Sequence, residues 1–547
     1  MKIFRICSQY LRKHRIKIAI FACYGIIIQI LSFITPYITG DFIDRLVSIT
    51  DMHYVFFFCI ILATVTLLRL VFLYLQSISY CKLQAEMGYE FNRDVVFHIQ
   101  DLPMSYLSNK DIAQINSQIN EDTNRLVIFC LNIFNAFILN GMVLPALFVV
   151  CYCLNKQITI AYAVYCSVYI AVYNVVKKHR YKISHRLYES QNQFFGKLFE
   201  QMKYIAFIKS NGIAAFFRKR LEKPFKDLYD STISDQRFEY MLVTIDQVLS
   251  LVAEITLYIG GAYQIIQGQF TVGNFIIFSS YFSMVRQSIQ YFYNFGSIYQ
   301  QTMVAYDRTV KILNEESEAD GGDNITQIHS VFFNKLSFDY NGNSGLINGF
   351  SDKFVRGNIY GIQGENGSGK TTFAKILLGL YNDNIADNMI LLNGESDIKN
   401  TNKHILRHDN IAYVEQSPVL LDGDILSNIL IDKEPSENIL HYVKKMSQIL
   451  NIEHIVYSVS ESNQDINSIS GGERQKVAII RALCKCSDIL IFDEPTAALD
   501  IVSSRTLMEY LQTIKSDKII IIISHDDVVI NCCDVKISCE QWRTKII

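Results

Sequence analysis

Two short stretches of the sequence carry residue types suited to binding and cleaving phosphate esters. The stretch GENGSGKT at 364–371 fits the spacing G-x-x-x-x-G-K-[ST], whose glycines let backbone N–H groups turn toward phosphate oxygens. Lys370 would reach the β- and γ-phosphates of a nucleotide, and the Thr371 hydroxyl would ligate Mg²⁺. Further along, Asp493 can hold Mg²⁺ through water, and Glu494 can polarise the water that attacks the γ-phosphate. Together the two stretches predict a site for nucleotide hydrolysis.

These residues need elements that place them side by side. The apolar run IYGIQ precedes the phosphate loop and the helical pattern FAKILLGL follows it, which is the strand–loop–helix context that the motif requires. Two nearly continuous apolar runs, at 487–494 and 517–526, are typical of strands buried on both faces of a mostly parallel sheet. Ligands bind at the carboxyl ends of such strands, which favours a site at 493–494 over the alternative, an ordinary acidic turn.

The N-terminal half of the chain has a different texture, because long apolar runs dominate it. Stretches long enough to cross the ~30 Å hydrocarbon core as helices lie at about 16–40, 54–81, 126–154, 158–180, 238–267 and 274–298. A soluble helical bundle is the alternative, but soluble helices seldom stay apolar on every face over such lengths. The sequence therefore predicts a membrane domain of six helices over 1–313, a polar, flexible linker at 314–325 and an α/β domain over 326–547.

Basic residues indicate the orientation of the predicted membrane helices. The segment 177–237 contains KKHRYK and FRKRLEKPFK, whereas the three short loops between spans carry only Arg45 and Lys156. By the positive-inside rule, the N-terminus, the long loops and the C-terminal domain lie in the cytoplasm. The basic opening could also be a signal peptide, but its apolar run is long and lacks a small-x-small cleavage site, which favours an uncleaved helix.

Overall composition excludes some classes of function. The net charge of −2 favours neither nucleic acid nor an acidic partner. The 13 cysteines are scattered and include no CxxC pair, so we interpret them as reduced thiols and apolar filling residues rather than a disulfide framework or a metal site.

The order of motifs in the C-terminal half carries a family resemblance. GENGSGKT, VEQSP, ISGGERQ, ILIFDEPTAALD and ISHD follow one another as in the nucleotide-binding domain of ATP-binding cassette (ABC) transporters. With six spans ahead of it, the whole chain resembles an exporter-type (type IV) half-transporter, in which a membrane domain is fused to an α/β P-loop ATPase domain with a helical subdomain. The resemblance implies ATP and Mg²⁺ as ligands. It implies phosphate binding by Gly364, Glu365, Asn366, Gly367, Ser368, Gly369, Lys370, Thr371 and Thr372.

The resemblance also implies roles for residues outside the phosphate loop. Gln416 resembles the glutamine that senses Mg²⁺ and contacts the membrane domain, and His525 resembles the switch histidine that touches the γ-phosphate. Tyr340 is similar to the aromatic residue that stacks on adenine, and Asp500 to the acid that couples two ATP sites. Standing alone, Gln416 would more simply be a surface glutamine, His525 a structural residue and Tyr340 a strand-face tyrosine.

Ser470, Gly471, Gly472 and Glu473 resemble the family signature. In that family the signature closes over ATP held by the other subunit, which suits the hydroxyl, free N–H groups and positive dipole end of a helix start. As a bare motif it could equally be a helix N-cap. Because every catalytic motif is intact, we expect a homodimer with two working sites rather than a heterodimer with one degenerate site.

Other parts of the resemblance are less regular. The stretches at 100–126 and 207–221 resemble the coupling helices of exporters, with plain solvated turns as the alternative. SNQDIN at 462–467 stands where exporters generally have a glycine-rich segment with a glutamate, and the C-terminus CEQWRTKII is short for the family. The departure at 462–467 puts cross-talk between the nucleotide and membrane domains through that segment in doubt. The C-terminal helices that often steady the dimer in this family are not expected.

Three ionisable residues interrupt the predicted spans, which makes them candidates for function. Arg69, Glu254 and Arg286 lie about 12 to 15 residues from the outer ends of their spans, or roughly 18 to 22 Å deep at 1.5 Å per residue. We expect them to line the central cavity, with Glu254 pairing one arginine and the other meeting an anionic group on the cargo. Structural ion pairs or cytoplasmic helix extensions are the alternative.

These observations predict an ATP-driven exporter half-transporter that works as a dimer in the cell membrane of a bacterium. The expected cargo is a small peptide, an amphipathic compound or a lipid. An importer that uses the exporter fold, for instance for metal chelates, and an ATP-gated regulator or channel are the alternatives. No cysteine-protease domain precedes the first span, which disfavours a peptide exporter that also processes its cargo.

Overall fold

The computed structural model describes residues 2–46, 52–108, 110, 112–136, 141, 143–340, 345–456 and 469–542. The chain divides into two compact units. A helical unit comprises Met1–Phe97 and Asn116–Asn314, and a mixed unit comprises His98–Ile115 and Glu315–Ile547. The division near residue 314 falls beside the predicted linker, while the segment 98–115 is grouped with the C-terminal half of the chain.

The helical unit consists of long helices. Its elements are α1 (Lys2–Lys13), α2 (Arg15–Leu46), α3 (Met52–Gln100), α5 (Ile112–Ala136), α6 (Val143–Leu154), α7 (Lys156–Lys203), α8 (Ile205–Ser210), α9 (Ala214–Ile266) and α10 (Val272–Leu313), and the short α4 (Met104–Leu107) lies in the mixed unit. The predicted spans fall in α2, α3, α5 with α6, α7, α9 and α10. Residues 137–140 and 142, inside the third predicted span, lie outside the described residues.

Within the described residues, three helices are long and apolar enough to cross a membrane by length and composition, namely α2, α3 and α9. The most apolar window of α3 has a mean hydropathy of 2.6 and none of it is buried within the chain. Such a surface is unfavourable in water, because each exposed apolar side chain forfeits transfer free energy. We therefore treat the helical unit as a membrane structure.

Close packing between α2 and α10 depends on two glycines. A Cβ added at Gly40 would lie 2.4 Å from Ile277, and one at Gly273 would lie 2.1 Å from the Gly40 carbonyl oxygen. Next to this contact, Asp44 of α2 accepts hydrogen bonds from the Thr271 hydroxyl and the Gly273 N–H, each at 2.6 Å. The Asp44 carboxylate thereby satisfies N-terminal groups of α10 that would otherwise lack partners.

The mixed unit contains two sheets. The strands are β1 (Ser330–Phe338), β2 (Ile347–Val355), β3 (Ile359–Gln363), β4 (Ile390–Leu392), β5 (Ser396–Asp397), β6 (Ile411–Val414), β7 (Ile489–Asp493), β8 (Ile519–Ile523) and β9 (Val535–Ser538). An antiparallel sheet has the order β2-β1-β4-β5, and a parallel sheet has the order β6-β7-β8-β3-β9. Every residue of β7 and β8 is buried, which explains their unbroken apolar runs and confirms the predicted α/β class.

Helices cover the sheets of the mixed unit. They are α11 (Lys370–Leu377), α12 (Lys403–Ile405), α13 (Ile425–Leu430), α14 (Glu437–Ile449), α15 (Glu453–Val456), α16 (Gly471–Cys484), α17 (Ile501–Ile514) and α18 (Asp527–Asn531). One hydrophobic core joins α11 to the antiparallel sheet and one face of the parallel sheet. A second core joins α14, α16 and α17 to the other face, so both faces of the parallel sheet are covered.

The linker is hydrogen-bonded within the mixed unit. The Glu318 N–H donates to the Asp101 carbonyl at 2.7 Å, and the Glu318 carboxylate pairs with Arg407 at 2.6 Å and Lys403 at 2.9 Å. Burial pushes the pKa of Glu318 upward, but the two basic partners outweigh it and hold the pKa below its usual value. Met104 of α4 packs on the first core of the same unit. A segment expected to be flexible is therefore tied to both the sheet domain and residues 98–115.

A nucleotide site with a separate signature surface

The phosphate loop connects β3 to α11. Gly369 has a left-handed backbone with φ of 95°, and Gly367 has φ of 78°, conformations that cost other residues strain. A Cβ added at Gly364 would lie 2.6 Å from Cys539, so a side chain there would displace the segment beneath the loop. The ammonium of Lys370 donates to the carbonyls of Gly364 at 2.7 Å and Glu365 at 3.0 Å. The lysine charge is thereby fixed at the loop, beside the start of a helix.

Asp493 and Thr371 meet although 122 residues separate them. Parallel pairing in the order β7-β8-β3 brings the ends of β7 and β3 to the same sheet edge. There the Thr371 hydroxyl donates to Asp493 Oδ2 at 2.7 Å, and Tyr413 donates to the same oxygen at 3.3 Å. Burial raises the pKa of Asp493, and the two hydroxyl donors offset only part of that rise. Tyr413 was not predicted, since a tyrosine within a strand carries no motif.

Glu494 and His525 form the second contact at this edge. Asp493 is paired in register with Ile523, so the residues that follow β7 and β8 emerge side by side. Glu494 adopts φ of 50° and its N–H donates to the Ile523 carbonyl at 2.8 Å. Its buried carboxylate lies 2.8 Å from His525 Nδ1, and this hydrogen bond raises the pKa of His525. The imidazole itself is largely exposed to solvent.

Tyr340 stands at the other end of the site. Its hydroxyl lies 2.9 Å from Thr372 Oγ1, which anchors the ring to the start of α11. The ring packs edge-on against Tyr381 and Phe338 with centroid distances of 5.4 and 5.0 Å. Nevertheless 45% of the residue remains exposed, so the ring keeps surface on which a flat ligand could stack.

A cavity of about 740 Å³ brings most of the predicted nucleotide residues together. It is lined by Asp339, Tyr340, Leu346, Asn366, Gly367, Ser368, Gly369, Lys370, Thr371, Thr372, Gln416, Asp493 and Glu494. Gly364 and Glu365 belong to the same loop and hold the Lys370 ammonium. The Gln416 side chain is exposed at this cavity. The cavity therefore combines the backbone of the phosphate loop, a lysine, three carboxylates and an exposed aromatic ring.

The signature residues do not line this cavity. Ser470 is the N-cap of α16, and its hydroxyl accepts from the Glu473 N–H at 3.3 Å. The Glu473 carboxylate in turn accepts from the Ser470 N–H at 2.9 Å and from its hydroxyl at 2.6 Å. These donors lower the pKa of Glu473. The result is a capping box in which the serine hydroxyl is committed to Glu473.

The loop after β7 contacts α16, the helix that begins at the signature residues Ser470 to Glu473. Gly472 approaches the Ala498 carbonyl so closely that an added Cβ would lie 2.5 Å from its oxygen. Lys476 of α16 donates to Asp500 at 3.0 Å, and Asp500 caps α17 by accepting from the Ser503 N–H at 2.8 Å. The bonds from Ser503, aided by Lys476, place the pKa of Asp500 far below its usual range. Lys476 is a second residue that motif reasoning missed.

The ionisable residues of the predicted spans lie on three different helices. Arg69 on α3 is exposed, whereas Glu254 on α9 and Arg286 on α10 are half-buried. Of the predicted coupling stretches, 100–126 includes α4 and part of α5, and 207–221 covers the junction of α8 and α9. The atypical segment 462–467 lies outside the described residues.

The fold and site together define a membrane protein with a fused P-loop nucleotide-binding domain. Two family models agree with that class: one described as "ABC transporter transmembrane region" matches residues 18–289, and one described as "ABC transporter" matches residues 347–497. Together they match well over half of the chain. The chain belongs to the ABC transporter family.

Curated relatives include transporters of bacterial products. The chain is 24% identical over 461 residues to the pediocin PA-1 transport/processing ATP-binding protein PedD of Pediococcus acidilactici, with 83% of this chain and 63% of that protein aligned. It is 26% identical to an ATP-dependent lipid A-core flippase of Haemophilus influenzae, over 78% of this chain and 74% of that protein. The chain thus spans less than two thirds of the length of the pediocin relative.

A solved structure has the same fold along nearly the whole chain. It is described as a bacterial Atm1-family ABC exporter with ATP bound. The alignment covers 98% of this chain and 94% of that chain with a TM-score of 0.80, at 18% sequence identity. The predicted arrangement of a helical membrane domain followed by an ABC ATPase domain is thereby confirmed.

Proposed function

We propose that this protein is an ATP-driven exporter half-transporter that works as a dimer. The observation that carries the proposal is the cavity at the carboxyl ends of β3 and β7, where Lys370, Thr371, Asp493 and Glu494 converge. ATP binds with its phosphates on the loop N–H groups and the Lys370 ammonium, and its base stacks on Tyr340. A loop lysine and two distinct carboxylates are what phosphoryl transfer to water requires.

The residues at 371 and 493 fit a magnesium ion. Mg²⁺ prefers hard oxygen ligands, and the Thr371 hydroxyl and Asp493 carboxylate oxygens lie 2.7 Å apart. Burial raises the pKa of Asp493, and a bound cation would favour its ionised form. When bound, Mg²⁺ would neutralise charge on the phosphates, with Thr371, Asp493 and Gln416 as the residues that hold it or its waters.

Glu494 acts as the residue that orients and polarises the attacking water. Its carboxylate is buried, fixed by the backbone bond from its own N–H to Ile523, and directed by His525. His525 Nδ1 lies 2.8 Å from the Glu494 carboxylate, and the largely exposed imidazole leaves its other nitrogen available to donate to a γ-phosphate oxygen. When His525 binds the γ-phosphate through that nitrogen, its hydrogen bond to Glu494 would link the phosphate to the carboxylate that orients the attacking water.

A second copy of the chain completes each ATP site. Ser470 and the N-terminus of α16 offer a hydroxyl and free N–H groups, yet none of 470–473 lines the cavity of their own chain. In the proposed homodimer, Ser470 to Glu473 of one chain cover the γ-phosphate held by the other, and Asp500 couples the two sites through Lys476. Closure driven by ATP and reopening after hydrolysis alternate the access of the membrane domain.

The cargo we propose is a small peptide or another amphipathic molecule, including lipids. Support comes from relatives whose names specify pediocin transport and lipid A-core flipping. Arg69, Glu254 and Arg286 would line the central cavity, where an unpaired arginine would attract an anionic group on the cargo. The protein would lie in a bacterial inner membrane, with its N-terminus and nucleotide-binding domain in the cytoplasm. Arg286→Ala should then reduce cargo-stimulated ATP hydrolysis but leave basal hydrolysis intact.

Reconstituted protein tests the proposal. In lipid discs, the wild type should hydrolyse ATP only with Mg²⁺, and Glu494→Gln should reduce the rate at least about a hundredfold while ATP binding persists. In vesicles with the nucleotide-binding domains outside, ATP should drive labelled peptide into the lumen. Absence of hydrolysis would refute the ATPase, and ATP-driven loss of peptide from the lumen would refute export.

A further inference from the structure

The only tryptophan of the sequence lies directly beneath the phosphate loop. Strand β9 pairs in parallel with β3, and Gln363 is in register with Ser538. The segments that follow these strands therefore leave the sheet at the same edge. After β3 comes the phosphate loop, and after β9 comes the short turn Cys539–Trp542. Trp542 is completely buried there.

Trp542 contacts the loop through one directional bond. Its indole Nε1–H donates to the Ser368 carbonyl at 3.2 Å. The ring stacks on Phe373 of α11 with centroids 5.2 Å apart and an angle of 18°. It also meets Phe350 edge-on at 5.3 Å. Two aromatic neighbours thus fix the plane of the indole, and the plane fixes the direction of its N–H.

The bonded carbonyl belongs to Ser368, a residue between two glycines of the loop. Ser368 is flanked by Gly367 and Gly369, both with positive φ, so little steric hindrance opposes rotation of the peptide between Ser368 and Gly369. In a planar trans peptide the C=O and N–H point in opposite directions. A carbonyl held toward Trp542 therefore turns the Gly369 N–H away from the buried indole and toward the cavity that Ser368 and Gly369 line.

We propose that Trp542 is a positioning residue for nucleotide binding, which holds the Ser368–Gly369 peptide with its N–H toward the phosphates, and that its emission reports nucleotide at the loop. The inference rests on the proposed ATPase function. It assigns part of the phosphate site to a residue 172 positions beyond Lys370, outside every sequence motif. Phosphate binding in turn polarises the Ser368 peptide and so strengthens the indole hydrogen bond.

The test compares two packing variants in lipid discs. Trp542→Phe keeps an aromatic ring on Phe373 but removes the donor, whereas Phe350→Leu removes an aromatic contact of Trp542 and keeps the donor. Both should lower the thermal midpoint. Only Trp542→Phe should raise the KM for ATP, by about five- to tenfold because a buried carbonyl loses its partner, with kcat within about twofold. An unchanged KM in Trp542→Phe, or an equal rise in Phe350→Leu, would overturn the proposal.

Tryptophan emission gives a second readout that needs no Trp542 variant. Because the chain has one tryptophan, its emission comes from this position alone. Titration of wild-type protein with MgADP should change the emission saturably, and Lys370→Ala should abolish that change at the same concentrations. Emission that stays constant while bound ADP saturates would refute the proposal. Since this assay requires binding but no hydrolysis, its outcome is separable from failure of the ATPase.

Discussion

At the scale of single residues, three acidic side chains of the mixed unit, Asp493, Glu494 and Glu473, have different environments. Burial raises the pKa of Asp493, and its two hydroxyl donors, which are uncharged, offset only part of that rise. Glu494 shares a hydrogen bond with His525, whose pKa it raises. Glu473, in the first turn of α16, has a lowered pKa because Ser470 donates hydrogen bonds to it. The same side-chain chemistry thus caps a helix at Glu473, while we propose that it holds a cation at Asp493 and orients a water at Glu494.

The pairing of His525 with Glu494 predicts a shift in titration. Since the folded-state pKa of His525 is raised, the charged pair is fully formed below the usual value near 6.5 and is lost as pH rises through the raised pKa. Glu494→Gln should move the titration of His525 to lower pH. Labelling of the neutral imidazole with diethyl pyrocarbonate across pH, followed by mass spectrometry, measures this midpoint. His454, which is exposed and lies 3.7 Å from Glu473, is the internal control. An unmoved His525 midpoint would contradict the pairing.

The capping box predicts that removal of the Glu473 charge lowers the KM for ATP. The Ser470 hydroxyl donates to the Glu473 carboxylate. In the proposed homodimer, the carboxylate would have to release this hydroxyl when the partner chain's γ-phosphate approaches. Glu473→Gln keeps an acceptor for the Ser470 N–H but removes a repulsion on the order of 1 kcal/mol between two anions a few Å apart. The KM for ATP should fall about two- to fivefold with little change in kcat.

Glu509→Gln is the matched control for that experiment. Glu509 lies on α17, is exposed and pairs with Arg505 on the same helix at 3.1 Å. Its neutralisation changes the net charge by the same amount without touching the signature, so its KM should equal that of the wild type. A KM that rises in Glu473→Gln, or falls equally in both variants, would show that the carboxylate does not oppose closure.

At the scale of elements, helix ends are held by side chains from other parts of the chain. At the N-terminus of α10, the Gly273 N–H donates a hydrogen bond to Asp44 of α2, which lies 229 positions earlier in the chain. Asp500 caps its own helix α17 and simultaneously joins it to α16 through Lys476. Asp44 therefore connects α2 to α10, and Asp500 connects α16 to α17. Loss of either carboxylate should weaken the contact between two helices.

Asp44→Ala should destabilise the helical unit measurably. The substitution leaves the Thr271 hydroxyl and the Gly273 N–H without their acceptor, at a cost of about 1 to 2 kcal/mol. We expect the thermal midpoint in lipid discs to fall by about 2 to 4 °C. Asp41→Asn, one turn earlier, breaks only an exposed pair with Arg45 and should change the midpoint by less than about 1 °C. Equal effects of the two substitutions would contradict a capping role for Asp44.

At the scale of the whole molecule, the proposed homodimer would build each ATP site from parts of two chains. Lys370 lines the cavity and Ser470 does not. For the proposed homodimer, Ser470→Arg should retain ATP binding and lose hydrolysis and transport, since the arginine blocks the face that covers the γ-phosphate. Full hydrolysis in this variant, measured beside nucleotide binding, would exclude the composite site.

Mixed dimers sharpen the same prediction. When a Lys370→Ala chain pairs with a Ser470→Arg chain, both defects fall in one composite site and the other site is intact, so ATP hydrolysis should return. When one chain carries both substitutions and its partner is wild type, each site has one defect and hydrolysis should stay lost. Two different affinity tags isolate the mixed dimers for the assay. Equal activity in the two arrangements would refute sites shared between chains.

The sequence by itself determined the class of this protein. Phosphate-loop spacing, the Asp493–Glu494 pair and unbroken apolar runs are local patterns, and local patterns follow from backbone geometry and from burial. They predicted the ABC fold, which is confirmed, while the roles of the nucleotide-site residues, the central cavity, the cargo and the homodimer stay predictions. Tertiary structure decided which distant groups meet. Strand order brings Tyr413 and Thr371 to Asp493 and brings Trp542 under Ser368, and helix packing brings Asp44 to Gly273. No spacing rule could supply these contacts, because strand order and helix packing join residues across more than a hundred positions for most of them.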